Sequence, residues 1–416
     1  MVLNVSIRYH PCIFYETGDL KMNLPLLEHV VDSFEYIDLN GCSIVGAQHL
    51  LGTTFDLFKC LFKKGLKPER TFLIGKCYSS SSMVGREMKR SGIYVSPHSF
   101  EFSSHKPFDQ QYAASMKEFL KSVLPRAVDS EKIIFLDDGG GLIKLAHKML
   151  DNFEPVFGVE QTTSGYEALR NFCLKFPVIN VARSPAKLIY ESPMIAEVVA
   201  KHVHKSLKTI ELSGKKALIL GGGAIGKSIY ERVKYDFDVK IFDTNQGLSM
   251  IKATDFCNYI SASDLIIGCT GRSTLRRKHY KLLKKGVVLA SASSSDREFE
   301  AFYFRKNIDP ISDPHSDIHF NGVNLLNGGF PINFDGRRHS VPANLIQLTR
   351  ALLVCGVMQG LSDETLSTEM VPLDLELQRE VVSKFFEFCG TDYRKIVKNP
   401  SYDMLIQDKI PQLAYA

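Results

Sequence analysis

None of the nine cysteines (Cys12, Cys42, Cys60, Cys77, Cys173, Cys257, Cys269, Cys355 and Cys389) forms a C-x-x-C pair or stands at metal-ligand spacing, so no metal site is expected. The odd count, the lack of a secretory leader and an opening at residues 2–7 that reads as a strand point to a reducing, cytoplasmic compartment. No apolar run approaches the ~18 residues needed to cross a bilayer, and no membrane partner is expected. An excess of one charge is missing too: 51 Lys+Arg stand against 46 Asp+Glu, a net +5. The short basic runs Lys63-Lys64, Arg276-Arg277-Lys278 and Arg337-Arg338 lack interleaved aromatics. They read as solvated faces, and no nucleic-acid partner is expected. Low-complexity tracts and internal repeats are absent. What remains, with 44% hydrophobic and 23% charged residues over 416 positions, is a globular chain long enough for two or three domains.

The densest signal is Ala217-Leu218-Ile219-Leu220-Gly221-Gly222-Gly223-Ala224-Ile225-Gly226. An apolar strand runs into Gly-x-Gly-x-x-Gly; a helical segment over 227–235 follows, and a second strand over 239–242 ends in Asp243. Gly221 permits the tight turn, Gly223 lets the backbone approach a pyrophosphate, and Gly226 lets helix and strand pack closely. The helix start, through Ala224 and Ile225, offers free amides and a positive dipole end to phosphates. Asp243, 22 positions after Gly221, would accept hydrogen bonds from a ribose 2′-OH and repel a 2′-phosphate. Dinucleotide binding is expected, with NAD preferred to NADP; the alternative is an ordinary glycine-rich turn.

Apolar runs alternate with helical periods along most of the chain, which predicts an α/β protein of two doubly wound Rossmann-like domains with a cleft between them. Strands are expected over 35–38, 71–74, 133–136, 156–158 and 178–181, then over 265–268, 287–290 and 322–326. Helices are expected over 48–63, 82–90, 110–124, 142–150, 166–174, 195–207, 343–361 and 375–388. The first domain spans 1–184 and binds substrate, completed by about 343–395. A dinucleotide-binding domain spans 193–338, and a tail of 396–416 closes the chain.

Three segments at strand ends carry candidate chemistry. Asp137-Asp138-Gly139-Gly140-Gly141 pairs two carboxylates, which suits acid/base work because like charges raise one pKa; it equally suits a turn that caps a helix. Glu160-Gln161-Thr162-Thr163-Ser164-Gly165 makes a polar cradle for a sugar or carboxamide, or the N-cap of the next helix. Lys187 and Glu191 are spaced i,i+4, so they share a helix face and reach one ligand hydroxyl, or form a plain surface ion pair.

Taken in order, these segments resemble S-adenosylhomocysteine hydrolase from about Gly41 to Leu361, most closely between Asp137 and Gly271. Asp-Asp-Gly-Gly, Glu-x-Thr-Thr-x-Gly, Pro-x-Ile-Asn-Val with a downstream Ser-x-x-Lys, and the glycine loop follow in the family's order. The chain is identified as a divergent member. The resemblance implies a tightly held NAD that oxidises a nucleoside 3′-hydroxyl so that a thiol can be eliminated and water added. Lys187 would help deprotonate that hydroxyl, Glu191 would bind the ribose, and Asp138 would be an acid/base group near C4′ and C5′. Thr162 would line the sugar pocket. Thr270, in Cys269-Thr270-Gly271, and Asn333 match residues beside the nicotinamide, and His339, allowing one gap, falls near a histidine of the hinge-side loop. Gln161 stands where the family has a ribose-binding Glu, and Gln48 where it has an active-site His, with His49 adjacent. Leu50 and Gly52 replace residues that read adenine, Ser192 replaces an Asn, and Ala196 a Cys. The run Ser291-Ala292-Ser293-Ser294-Ser295-Asp296 replaces an Asn-x-Gly-His loop. The Lys- and Tyr-bearing family tail has no match in residues 411–416.

The expected activity is therefore that of an NAD-dependent enzyme on a nucleoside-like small molecule, the redox core kept and the substrate changed. The alternatives are a simple NAD-dependent oxidoreductase on the same scaffold and a catalytically silent NAD-binding sensor or scaffold. A homo-oligomer, with a dimer as the first choice, is the expected assembly.

Overall fold

The computed structural model describes residues 24–363 and 366–397; the strand expected over 2–7 and all but the start of the tail lie outside them. Along the chain the first elements are α1 (Pro25–Ser33), β1 (Cys42–Ala47), α2 (Gly52–Lys63), β2 (Thr71–Ile74), α3 (Ser82–Arg90) and β3 (Tyr94–Val95). Next come α4 (Phe108–Ala127), β4 (Lys132–Asp137), α5 (Gly141–Met149), β5 (Val156–Glu160), α6 (Thr163–Leu169) and β6 (Val178–Asn180). A π-helical turn, Lys187–Glu191, precedes α7 (Ser192–Ser206), β7 (Lys216–Leu220), α8 (Ala224–Val233), β8 (Asp238–Phe242) and α9 (Phe256–Ala262). Then follow β9 (Leu265–Gly268), α10 (Arg277–Tyr280), β10 (Val287–Ser291), α11 (Ala301–Arg305), β11 (Ile318–Phe320) and β12 (Val323–Leu325). The chain returns through α12 (Ala343–Ser362), β13 (Met370–Pro372) and α13 (Leu375–Ile396).

These elements form two compact units. Among the described residues, the nucleotide-type unit comprises 192–333 with 104–107; the other holds 24–103, 108–191, 334–363 and 366–397. Each is a layered α/β sheet. The larger unit has seven strands in the order β13-β6-β5-β4-β1-β2-β3, all parallel. The nucleotide-type unit has six, β11-β12-β10-β9-β7-β8, parallel except for the edge pair β11/β12.

Parallel strands covered on both faces read as continuous apolar runs, and β7 shows why. Ala217 and Ile219 join a core with α7 and α8 through Val199, Val203, Ile229 and Val233. Leu218 and Leu220 point the other way, into a core with Phe256, Ile260 and Phe304 of α9 and α11. In the larger unit one face packs Phe119, Leu120 and Val123 of α4 with Leu142 and Ile143 of α5 on Val45, Phe72 and Phe135.

The other face of that sheet carries α12, whose Gly356 and Gly360 lie one turn apart. A Cβ at Gly356 would sit 2.9 Å from Val159 and 3.0 Å from Val181, and one at Gly360 would run into the Phe157 ring. Side chains are omitted where the helix backbone touches the strands. By length and composition α12 is apolar enough to cross a bilayer, contrary to the expectation that no stretch would be; 83% of that apolar window is buried inside the unit.

The sequence reading differs from the structure most near the start. Residues 35–38, expected as a strand, form a turn and loop with Tyr36 99% exposed, so neither alternating face is covered. The strand is instead Cys42–Ala47, every residue buried, at the sheet centre between β4 and β2. The helix expected from 48 starts at Gly52, and the last helix runs to Ile396, into the stretch expected as tail.

Substituting Gly360→Ala gains intrinsic helix propensity of ~1 kcal/mol yet is expected to destabilise the protein by about 1–3 kcal/mol through overpacking on Phe157. Urea denaturation of the variant against wild type checks the sign.

Candidate functional site

In open α/β sheets, ligands gather at the carboxyl ends of strands where the strand order reverses. In the nucleotide-type unit that point lies between β7 and β9, because β8 lies on one side of β7 and β9 on the other. The glycine turn occupies it. Gly221 has φ +105°, a conformation side chains rarely adopt. A Cβ on Gly226 would collide with the Gly221 carbonyl, which requires glycine where α8 crosses the turn. At Gly223 a Cβ would meet nothing within 4 Å, so the backbone there is open to a ligand. The first helical bond of α8 is Lys227 N–H to Gly223 O at 2.9 Å, which leaves the amides of Ala224, Ile225 and Gly226 at the open helix end. Asp243, at the end of β8, accepts from Gly222 N–H at 2.7 Å and Asn245 N–H at 2.8 Å. This cradle fits the pyrophosphate and ribose of a dinucleotide.

The loops across the switch point are tied by a residue that the sequence reading did not single out. Glu298 is fully buried. It accepts from Thr270 N–H (3.0 Å), Thr270 Oγ1 (2.8 Å), Gly271 N–H (2.8 Å) and Ser293 Oγ (2.6 Å). Burial pushes its carboxyl up to about 6 against the pull of those hydrogen bonds. Asn333 is buried just after Ile332, whose N–H donates to Ser291 O at 2.8 Å, so it is carried to the carboxyl end of β10. The serine-rich loop ends on Asp296, which pairs with the fully buried Arg305.

In the larger unit the order reverses between β1 and β4. His49, Lys76, Asp138 and Gln161 converge there from the ends of β1, β2, β4 and β5. Asp138 Oδ1 pairs with Lys76 Nζ, which also donates to Asp138 O at 2.8 Å. Asp138 Oδ2 receives His49 Nε2 at 2.9 Å and Gln161 Nε2. The other ring nitrogen, His49 Nδ1, lies 2.6 Å from Ser79 Oγ. Burial opposes the charge on Asp138, but His49 and Lys76 outweigh it and hold the carboxyl well below its ordinary range. Burial also lowers the His49 pKa, against the attraction of Asp138.

The two readings of Asp137-Asp138 separate onto the two residues. Asp137 faces back into the fold, where its Oδ2 accepts from Ile143 N–H of α5 at 3.0 Å, and burial raises its pKa to about 7. Asp138 faces the switch point. The Gly139-Gly140 turn, at φ +119° and +72°, is held by Glu160 through both amides (3.2 and 2.8 Å). Glu160 also receives Thr162 N–H and Oγ1, both at 2.7 Å. Thr162 is the N-cap of α6, its hydroxyl accepting from Gly165 N–H at 3.0 Å.

Lys187 Nζ and Glu191 Oε2 pair at 2.8 Å across the π-helical turn, about one-sixth exposed each. Gln48 is fully buried with its amide donating to Leu136 O at 3.3 Å. Successive residues leave a strand on opposite sides, so His49, not Gln48, reaches Asp138. His339 packs over the start of α2, where a Cβ on Gly52 would run into its ring. The sequence reading passed over His49, Lys76, Ser79 and Glu298 as site residues. Lys76 and Ser79 had a usable signal, since they follow a strand recognised at 71–74.

Glu298 binds its proton more tightly folded than unfolded, so it contributes most to stability at low pH, and this is lost as pH rises from 4.5 to about 6. Relative to Glu298→Gln, wild type is expected to gain about 2 kcal/mol between neutral pH and about pH 4, read from unfolding curves at both.

No protein-family model matches the chain. It is 39% identical over 358 residues to each of two Mycobacterium tuberculosis proteins, "Uncharacterized protein Rv0104" and "Uncharacterized protein MT0113", covering 84% of this chain and 70% of theirs. It is 29% identical over 204 residues to S-inosyl-L-homocysteine hydrolase of Methanopyrus kandleri, covering 44% of this chain and 47% of that one. Among solved structures, a dipicolinate synthase component from Bacillus halodurans matches at TM-score 0.38 and 10% identity, over 78% of this chain and 99% of that one. An L-alanine dehydrogenase matches at 0.36 and 13%, over 82% and 99%. By the extent and identity of the mycobacterial match, the chain belongs to the family of Rv0104 and MT0113.

Proposed function

We propose that this chain is an NAD-dependent enzyme of the S-adenosylhomocysteine hydrolase kind, a divergent member that acts on a nucleoside or related secondary alcohol by transient oxidation, elimination and hydration. The observation that carries the reading is the glycine turn, open at Gly223 and closed at Gly226, with Asp243 at the end of the next strand. The identity with a hydrolase named for S-inosyl-L-homocysteine supports the substrate class.

NAD, when bound, would supply a hydride acceptor for a secondary alcohol. The amides of Ala224, Ile225 and Gly226 would hold its pyrophosphate, and Asp243 would take the ribose hydroxyls and repel a 2′-phosphate. Thr270, held by Glu298, and Asn333 serve the nicotinamide end. Lys187 Nζ, fixed by Glu191, acts as the neutral amine once its extra proton has left to solvent and then takes the proton of the substrate hydroxyl, and the Glu191 carboxylate binds the sugar. Gln161 donates its amide N–H to Asp138; its buried Oε1 has no partner among the described residues and accepts from a ligand hydroxyl. Thr162 shapes the sugar pocket as the cap of α6, and His339 borders it.

Protein loaded with NAD and mixed with adenosine or inosine is expected to develop the near-ultraviolet band of reduced nicotinamide. Lys187→Met is expected to retain NAD and to lose the band by ~100-fold or more in rate. Reduced cofactor released at each turnover would indicate a simple oxidoreductase, and no band with any nucleoside would indicate a silent scaffold.

The open space at Gly223 gives a test independent of turnover. Gly223→Ala is expected to fold with wild-type stability and to bind NAD at least tenfold more weakly by calorimetry, ~1.4 kcal/mol.

A further inference from the structure

We propose that Lys76 is a positioning residue that keeps Asp138 a hydrogen-bond acceptor only, and that Asp138 and Ser79 together hold His49 as the Nε2–H tautomer. His49 is then the side chain in this cluster that can carry a proton during turnover, a consequence that rests on the catalytic reading above.

The geometry leaves Lys76 little else to do. Its ammonium has three N–H groups; one meets Asp138 O, one Asp138 Oδ1, and Nζ lies over the Tyr112 ring, 5.9 Å from the centroid. The side chain is 7% exposed, which disfavours a role as nucleophile or ligand anchor. A carboxylate that takes a cation on one oxygen and N–H groups on the other is held ionised, because a proton of its own would weaken those contacts. An ionised carboxylate accepts and never donates, so His49 must present Nε2–H to Oδ2. Its Nδ1 is then bare and receives the Ser79 hydroxyl at 2.6 Å.

The groups facing the ring come from every side. Asp138 approaches from the end of β4, Lys76 and Ser79 from the end of β2, Arg350 from α12, and the Phe334 ring covers one face at 4.6 Å between centroids. Burial, Lys76 and Arg350 favour the neutral ring, and Asp138 opposes them. In the neutral Nε2–H ring the Ser79 hydroxyl donates to the bare Nδ1. Removing the Lys76 charge therefore raises the proton affinity of His49, and removing the Ser79 hydroxyl leaves its Nδ1 without that hydrogen bond.

Long-range ¹⁵N NMR of histidine-labelled full-length protein, with His49 assigned by His49→Gln, reads both properties without nucleoside or cofactor. Wild type is expected to show the Nε2–H tautomer and no His49 titration between about pH 5.5 and 8. In Lys76→Met, His49 is expected to titrate with at least tenfold higher proton affinity than in wild type, and Lys76→Arg restores the wild-type spectrum. Ser79→Ala is expected to keep the Nε2–H tautomer and to move the Nδ1 resonance to that of an imine nitrogen without a hydrogen bond; an unmoved Nδ1 resonance would count against the proposal. A wild-type His49 titrating near its ordinary value, an Nδ1–H tautomer, or an unchanged His49 in Lys76→Met would overturn the proposal. If Lys76→Met does not fold, the wild-type spectrum and Ser79→Ala decide alone. Because no substrate enters the measurement, inactivity toward nucleosides would count against the proposed function and leave this result standing.

Discussion

A buried glutamate that gathers backbone amides from a glycine turn is the interaction on which both candidate sites depend. Glu160 does this with Gly139, Gly140 and Thr162, and Glu298 does it with Thr270 and Gly271 while also accepting from the Ser293 hydroxyl. Each is fully buried, lies at the carboxyl edge of a parallel sheet, and ties the loop after one strand to the loop after its neighbour. Loop amides drawn away from water need acceptors, and an orphaned one costs ~1–3 kcal/mol. One carboxylate offers enough lone pairs to satisfy four donors, so it orders a turn that has no ladder of its own.

That ordering is what allows neighbouring acids to behave differently. Asp137 and Asp138 are adjacent in sequence, yet strand alternation turns one into the fold and the other toward the switch point. Asp137, capping α5, has its pKa raised toward neutral by burial that outweighs the pull of Lys76, whereas Asp138, bracketed by Lys76 and His49, stays ionised. A pair that looks symmetric in sequence becomes one structural acid and one fixed acceptor. Lys187 and Glu191 show the converse. Their spacing suits an α-helix, and a π-helical turn, a feature often found at functional sites, brings them together.

Much of this was legible in the chain itself. Local chemistry determined the glycine turn, because only glycine tolerates φ +105° at Gly221 and the carbonyl contact at Gly226. The continuous apolar runs at β4, β7, β9 and β10 announced buried parallel strands, since two covered faces need apolar side chains on both. The central strand Cys42–Ala47 escaped notice because its two β-branched residues, Ile44 and Val45, sit among Cys, Ser, Gly and Ala, while the exposed 35–38 segment carries the adjacent Tyr36 and Ile37.

The site was less legible, because it is assembled by strand order rather than by spacing. Nothing in the separation of His49, Lys76 and Asp138 along the chain says that β4 lies beside β1 with β2 on its far side. That order, and the opposite directions in which Gln48 and His49 leave β1, decide which side chain meets the carboxylate. The sequence by itself determined the glycine turn, the apolar strands β4, β7, β9 and β10 and the acid after β8, since sterics and periodicity act between near neighbours. Only the tertiary structure decided which charges are paired, because pairing in a buried site depends on which strand edges come together and on how much water they exclude.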